Sequence, residues 1–211
     1  MTAADGVRPP ANNTERRLLD AALTLFAAKG YAAASVREII EAAGVTRPVL
    51  YYYCANKEDL FKRLVRWTHA AADRELARVA ADASGCENRL RAVLRGSFAF
   101  CAADPRVPRL MFQTAFGPPI PSIAEFMADA GAARFLAVQH VMQDGLDAGE
   151  LAGRDAAFLA MAFCCLMDHH INISSRLPAP DTHLTPELAD ALVTVFLHGA
   201  AATDSRPPPA A

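Results

Sequence analysis

The chain has 211 residues, of which 53% are hydrophobic and 21% charged, a composition that excludes an intrinsically disordered protein and provides for a substantial core. The net charge of -2 excludes a wholly basic nucleic-acid coat. Residues 1–66 carry 10 Lys and Arg against 7 Asp and Glu, whereas the remainder carries 11 against 16. A basic N-terminal third on an acidic body predicts that only one end meets a polyanion.

The five cysteines are odd in number, form no CxxC pair and lie mostly within apolar runs. This usage predicts reduced thiols in a cytoplasm rather than the disulfide framework of a secreted domain. The N-terminus has no apolar segment after its charges, so no signal peptide is predicted. The longest apolar run, residues 156–167, has about a dozen residues, which is too short to cross a bilayer. We therefore expect a cytoplasmic protein with no membrane partner.

The patterning is helical almost throughout, between a loose polar arm over residues 1–12 and a disordered, Pro-rich tail over residues 203–211. Period-2 runs of β-branched residues and hairpin dipeptides are nearly absent, so no sheet is predicted. The first predicted helix covers residues 14–29, where apolar residues recur at helical spacing, and Gly30 ends it.

Three helix starts follow within a short stretch. Ser35 and Glu38 form a capping box, in which the serine caps the helix and the glutamate reaches back to it. Thr46 is predicted to cap the next helix, with Pro48 in its first turn, where a missing N–H costs little. Asn56 is predicted to cap the fourth helix.

The rest of the chain contains five further predicted helices, over residues 88–103, 108–116, 122–148, 155–176 and 186–199. Ser122 and Glu125 form a second capping box at the start of the third of these. The expected fold is therefore all-α, with about nine helices.

Two of the predicted helices, 36–43 and 47–53, are separated by a three-residue turn. Gly44 supplies the turn, which lets the second helix cross the first steeply, and Val45 and Leu50 are predicted to face inward at the crossing. This spacing indicates a helix-turn-helix, whose second helix would enter the major groove of DNA. Many buried helix pairs have the same spacing, so geometry alone leaves DNA binding and simple packing both open.

The residues of this region match a known family at its own spacings. The matching stretches are ALTLFAAKGY (22–31), SVREI (35–39), AAGVTR (42–47), LYYY (50–53) and NKEDLF (56–61). The region resembles the TetR family, the tetracycline-repressor-like transcriptional regulators. Cys54 stands where the family usually has Phe, and Pro48 where Gly is frequent. The resemblance implies a helix-turn-helix DNA-binding domain over residues 13–58 and a ligand-binding and dimerisation domain over residues 59–202.

The third helix carries the main candidate DNA contacts. Arg47 is its one residue able to make bidentate bonds to guanine, and Val49 is a weaker candidate for a thymine methyl. Lys57, at the start of the fourth helix, is the favoured phosphate lysine. The other residues assigned to the DNA interface lie on or beside the same face and are Ser35, Arg37, Thr46, Pro48, Tyr51, Tyr52 and Tyr53.

Several of these assignments have structural alternatives. Tyr51 and Tyr53 could be partly buried core aromatics, although three adjacent helical tyrosines cannot all face inward. Arg37 could pair with Glu41 on its own helix, and Arg47 could hold phosphate without reading a base.

A single recognition helix rarely binds DNA tightly, so a C₂ dimer on a palindromic operator is expected. The run over residues 158–167 is apolar around its circumference and must bury both faces. In the TetR family the last two helices of each subunit form the dimer bundle, which places the interface here on 155–176 and 186–199. An interior helix of a monomer is the alternative.

The resemblance also implies a pocket for a small molecule between the middle helices. The residues assigned to it are soft apolar side chains and a Cys–His pair: Phe98, Met111, Phe112, Phe116, Met142, Met161, Cys165 and His169. At helical spacing such residues are more often simply core. Cys165 and His169 are four residues apart, as metal ligands can be, but a fuller ligand set is missing and no metal is predicted.

The predicted function is that of a homodimeric transcriptional regulator, a repressor that a small molecule releases from its operator. The alternative is an all-α interaction module without DNA binding, and Arg47 and Lys57 argue against it. The sequence has no GxSxG, P-loop, GxGxxG or HExxH motif, so neither an enzyme nor a cofactor is predicted. The ligand, the operator sequence and the direction of the ligand's effect stay open.

Overall fold

The computed structural model describes residues 10, 12–81, 83–117, 120, 123–179 and 182–199, except for the side chains of residues 75–77, 79–81, 124–125 and 127–131. Within these ranges it contains nine helices and no strand, which confirms the all-α prediction. The helices are α1 (Asn13–Ala33), α2 (Val36–Ala43), α3 (Arg47–Tyr53), α4 (Lys57–Ala81), α5 (Cys86–Ala103), α6 (Arg106–Phe116), α7 (Ala124–Asp147), α8 (Ala156–Ser174) and α9 (Pro186–His198).

The N-terminal helices enclose a core of their own. Leu18 and Phe26 from α1, Leu50 from α3 and Phe61 from α4 are fully buried in it. Phe61 packs edge-on against Phe26 and Tyr31, with ring centroids 5.2 and 5.0 Å apart. Aromatic contacts of this geometry add to the free energy of burial. The first half of α4 therefore holds the helix-turn-helix together.

Gly44 makes the turn between α2 and α3. Its φ of 60° and ψ of 40° lie in the left-handed region that favours glycine. A Cβ built there would stand 2.9 Å from Nη2 of Arg17, the side chain that donates to the carbonyl oxygens of Ala43 and Gly44. The turn is thus fixed both by backbone conformation and by an arginine reaching across from α1.

Most of the predicted helix starts are confirmed. The Ser35–Glu38 capping box is present with both of its bonds, and Asn56 accepts from the N–H of Asp59 at 2.8 Å. Thr46 holds the cap position of α3, but the prediction that its side chain caps the helix is wrong: it makes no cap hydrogen bond. The second capping box depends on Ser122, which lies outside the described residues.

Three helix boundaries differ from the sequence prediction. α1 runs to Ala33 because the chain resumes helical structure after Gly30, where φ is 78° and ψ 166°. α5 begins two residues earlier than predicted, at Cys86, and α6 at Arg106, which leaves Pro108 in its first turn. Pro108 was thus taken as the start of a helix that already encloses it.

The second core lies among α5, α7, α8 and α9. Phe98, Met142 and Phe163 are buried there, and Phe163 packs edge-on against Phe196 of α9 at 5.3 Å between centroids. α8 is the one helix in the described part of the chain that is long and apolar enough to cross a membrane, with a mean hydropathy of 1.4. Core helices pass the same test, and one face of α8 does line this core.

Candidate nucleic-acid interface and ligand cavity

One face of α3 points away from the protein. Leu50 and Cys54 are turned inward and are at most 2% exposed, whereas Arg47 and Pro48 are exposed. Tyr52 is 82% exposed, an unusual position for a large aromatic side chain without a partner. Cations and aromatic hydroxyls on one short helix suit a polyanion with grooves.

The three consecutive tyrosines have different surroundings. Tyr51 is 48% exposed and Val49 half-buried. Tyr53 is half-buried, and its hydroxyl is bonded to the side chain of Asn12, with Nδ2 of Asn12 2.8 Å away and Oδ1 3.0 Å away. The hydroxyl of Tyr53 is therefore used to tie α3 to the start of α1, while Tyr51 and Tyr52 stay turned toward solvent.

The start of α2 adds polar groups that are already engaged. The Ser35 hydroxyl donates to Glu38 at 2.8 Å, and Lys29 donates to the same carboxylate at 2.5 Å. These bonds lower the pKa of Glu38 to about 2, so it stays ionised under any ordinary condition. Arg37 pairs with Glu41 at 2.9 Å, but 85% of its side chain is exposed, and such pairs are weak enough to exchange for a phosphate.

Lys57 is turned onto the protein rather than into solvent. Its ammonium group donates to the carbonyl of Ala32 at 3.2 Å and lies 4.5 Å from the centre of the Tyr31 ring. Burial lowers the pKa of Lys57. A phosphate contact by this lysine would have to be made in addition to, or in place of, these two contacts.

A cavity of about 50 Å³ lies where α4, α5, α6, α7 and α8 converge. Its wall is largely apolar, with Phe100, Met111 and Ile171 among its members. Two charged side chains also line it, Asp73 from α4 and Arg134 from α7. Arg134 donates from Nη2 to Asp168 of α8 at 2.7 Å.

The N-terminal region matches a known family along its length. The family model described as "Bacterial regulatory proteins, tetR family" matches residues 18–64, which run from α1 through α3 into α4. The chain belongs to the TetR family. The matched residues include the outward face of α3 and the Gly44 turn, so the prediction of a TetR-like helix-turn-helix is confirmed.

Curated TetR-family relatives match mainly this end. The chain is 33% identical to the transcriptional activator FasR of Mycolicibacterium smegmatis over 112 residues, which are 51% of this chain and 49% of that protein. It is 35% identical to the transcriptional repressor AcnR of Corynebacterium glutamicum over 96 residues, 46% of this chain and 45% of that protein. The chain thus spans about half the length of either relative.

The fold of the whole chain is also that of solved regulators. The crystal structure of FadR from Bacillus subtilis, in complex with stearoyl-CoA, superposes with a TM-score of 0.77 over 88% of this chain and 99% of that one. The sequence identity is 18%, so this likeness concerns the fold alone.

The residues assigned to the pocket from sequence do not come together. Met111 alone among the eight lines the cavity between α4 and α8. Phe98 and Met142 are buried in the second core, while Phe112 and Phe116 stack on each other beside a groove at the end of α1. The remaining three lie on the outward side of α8, because that helix turns a second apolar stripe to solvent: Met161, Cys165 and His169.

Sequence reasoning missed the charged residues of the cavity. Asp168 stood out as a polar residue in an apolar helix, but Asp73 and Arg134 come from helices whose polar faces are long and carry no distinguishing pattern. Within the described residues no group of three His, Cys, Asp or Glu side chains is arranged to hold a metal ion.

Arg106 joins the TetR-like N-terminal domain to the body, and sequence reasoning did not single it out. From the first turn of α6 its guanidinium donates to Asp20 and Thr24 of α1, at 2.8 and 2.7 Å. It also bonds both oxygens of Asp104, at the end of α5. These bonds raise the pKa of Arg106.

Proposed function

We propose that the protein is a homodimeric, sequence-specific DNA-binding transcriptional regulator of a palindromic operator. The observation that carries the proposal is the outward face of α3, where Arg47, Tyr51 and Tyr52 are exposed on the second helix of the helix-turn-helix. Arginine is the residue best suited to bidentate contact with guanine, and the tyrosine hydroxyls suit phosphates. Family membership supports the same reading.

The dimer is proposed to form through α8 and α9. Phe158 and Met161 of α8 are 56% and 54% exposed, and Val195 of α9 is 47% exposed. Apolar side chains along two neighbouring helices form the kind of surface that a partner covers. A second copy is the natural partner because two recognition helices must reach successive major-groove faces, roughly 34–36 Å apart.

The cavity is proposed to hold a small-molecule ligand that controls DNA binding. α4 connects the two regions: Leu60 and Phe61 lie in the N-terminal core and Asp73 lines the cavity. A ligand that shifts α4 would shift the recognition helices of both subunits. We propose that the ligand releases the protein from its operator and that the protein acts as a repressor.

The direct test is binding of the purified chain to DNA that flanks its own gene, measured by gel shift and by footprinting. We expect a protected site with two inverted half-sites. If the protein binds no duplex more tightly than a scrambled one, the chain is better described by the alternative, an interaction module without DNA binding.

Replacing Arg47 by alanine should weaken operator binding by about 1–3 kcal/mol per affected contact. The loss should come with relaxed preference at one base pair of each half-site, which a binding-site selection experiment would detect. Arg37→Ala is the matched control, since this exposed arginine already pairs with Glu41. An unchanged site preference in Arg47→Ala would reject base reading by Arg47.

The dimer predicts that Met161→Asp gives a monomer. Sedimentation should report about twice 22.6 kDa for the wild-type chain and 22.6 kDa for this variant, because a charge would be buried at the interface. Leu136→Asp, at a 49% exposed position on α7, is the matched control and should leave the dimer intact.

Cys165 gives a second readout of the same interface. It is the exposed thiol among the five cysteines, and burial raises the pKa of the others, to about 11 for Cys54, Cys86 and Cys164 and about 12 for Cys101. Iodoacetamide should therefore modify Cys165 faster in Met161→Asp than in the wild-type dimer. Equal rates together with equal masses would contradict the proposed interface.

A further inference from the structure

Two carboxyl groups and one guanidinium meet beside the cavity. Arg134 is occupied by Asp168, to which it donates at 2.7 Å. Asp73 lines the cavity and is attracted by the same guanidinium, but it accepts no hydrogen bond from any residue that the structure describes. The charges at this point are therefore two potential negative charges against one positive charge that is already paired.

The carboxyl oxygens at this site lack donors. Oδ1 of Asp168 is buried and, among the described residues, has no hydrogen-bond partner. Burial raises the pKa of Asp168 and that of Asp73, which shows that the ionised form of each is incompletely compensated by Arg134. Native proteins pair nearly all such buried acceptors, so an acceptor without a donor indicates a missing partner.

The remaining wall cannot supply that donor. Phe100, Met111 and Ile171 are apolar, and the hydroxyl of Ser97 donates within its own helix, to the carbonyl of Val93 at 2.8 Å. The thiol of Cys101 stays protonated, since burial raises its pKa to about 12. The cavity thus combines an apolar body with one unmatched carboxylate.

We propose that this cavity binds a small organic cation, an apolar molecule with one ammonium group that donates to Asp73. The inference rests on the proposed ligand-responsive function and specifies the chemical class of its ligand. An anionic ligand, whether a carboxylate or a coenzyme A thioester, would instead bring further negative charge to two carboxyl groups whose single guanidinium is already paired.

The test uses the full chain without DNA and three sets of probes. Benzylamine and hexylamine are compared with the alcohols and carboxylates of the same carbon skeletons, benzyl alcohol, hexan-1-ol, benzoate and hexanoate, and with hexanoyl-CoA. An amine at about ten times its Kd should raise the Tm by about 3 °C, and its matched alcohol less. The carboxylates and hexanoyl-CoA should leave the Tm unchanged.

Variants assign the effect to Asp73. Calorimetry should show amine affinity about tenfold or more weaker in Asp73→Asn, since a charge-assisted bond becomes a neutral one. Asp73→Glu keeps the charge and should retain measurable amine binding. Asp147→Asn, at an exposed carboxylate bonded to Gln143, is the matched control and should bind as the wild type does.

Three results would overturn the proposal: no amine raises the Tm, a carboxylate or hexanoyl-CoA raises it more than the amines do, or Asp73→Asn binds amines with wild-type affinity. Because these measurements contain no DNA, they are separate from the operator test. Amine binding by a chain that ignores DNA would refute the regulator alone, and operator binding without amine binding would refute the ligand class alone.

Discussion

Replacing Phe61 by alanine should destabilise the protein by about 3–5 kcal/mol. Phe61 is fully buried and makes two edge-on aromatic contacts, with Phe26 and Tyr31. The cavity left behind would lie between α4 and the helix-turn-helix, so operator binding should be lost under conditions where the second core still holds. Urea unfolding followed by the fluorescence of Trp67, the single tryptophan and a neighbour of the same core, would measure the loss.

Phe61→Leu is the matched control for this position. It keeps most of the buried volume and should cost about 1.5 kcal/mol or less. Phe158→Ala removes the same side chain from an exposed position of α8 and should leave the unfolding of the monomer nearly unchanged. A Phe61→Ala protein that unfolds at the wild-type urea concentration would show that α4 does not hold the N-terminal core.

Replacing Arg134 by leucine should cost about 3 kcal/mol at neutral pH. This is the low end of the cost of breaking a buried ion pair, because 27% of the Arg134 side chain and 21% of that of Asp168 stay exposed. The variant leaves Asp168 without its cation, so its pKa, already raised by burial, should rise further. The free energy of unfolding from urea titrations at several pH values would measure both effects.

The pH dependence of this variant has a definite sign. A carboxyl whose pKa is higher in the folded than in the unfolded chain takes up protons on folding, so stability rises as the pH falls from neutral through the folded pKa. Asp73, whose pKa burial also raises and Arg134 lowers, contributes with the same sign. The difference between Arg134→Leu and the wild type should therefore shrink in mild acid. A constant difference would contradict a buried, ionised Asp168.

The double variant Arg134→Leu with Asp168→Leu completes the cycle. Removing both charges leaves no buried ion, so the double variant should recover most of the stability that the single variant loses. Additive losses would show that the two side chains do not interact.

The helix-turn-helix could be predicted from sequence because its signals are local. Ser35 and Glu38 meet within one turn of helix, and Gly44 answers a backbone requirement that only its immediate neighbours set. Local signals were weaker for single side chains. Thr46 stands at the cap position without capping, and Lys57 turns onto Tyr31, because nearby elements offer partners that sequence spacing does not reveal.

The cavity could not be predicted because it depends on how distant helices pack. Met142 is fully buried and Phe116 is 72% exposed, yet both lie at apolar helical positions that look alike in the sequence. Asp73 and Arg134 are separated by 60 residues and meet only through the packing of α4 against α7. The charged wall of the cavity is therefore a property of the tertiary structure alone.

The position of Arg106 affects how the ionic-strength dependence of operator binding should be interpreted. Its bond to Asp20 links α6 to the helix that carries the DNA-binding domain, and 59% of the Asp20 side chain is exposed. Added salt screens exposed charges within the protein as well as those between protein and phosphate. The slope of log affinity against log salt concentration would then count this internal bond along with the counterions released from DNA. Subtracting the slope of an Asp20→Asn protein isolates the number of phosphates that the dimer neutralises.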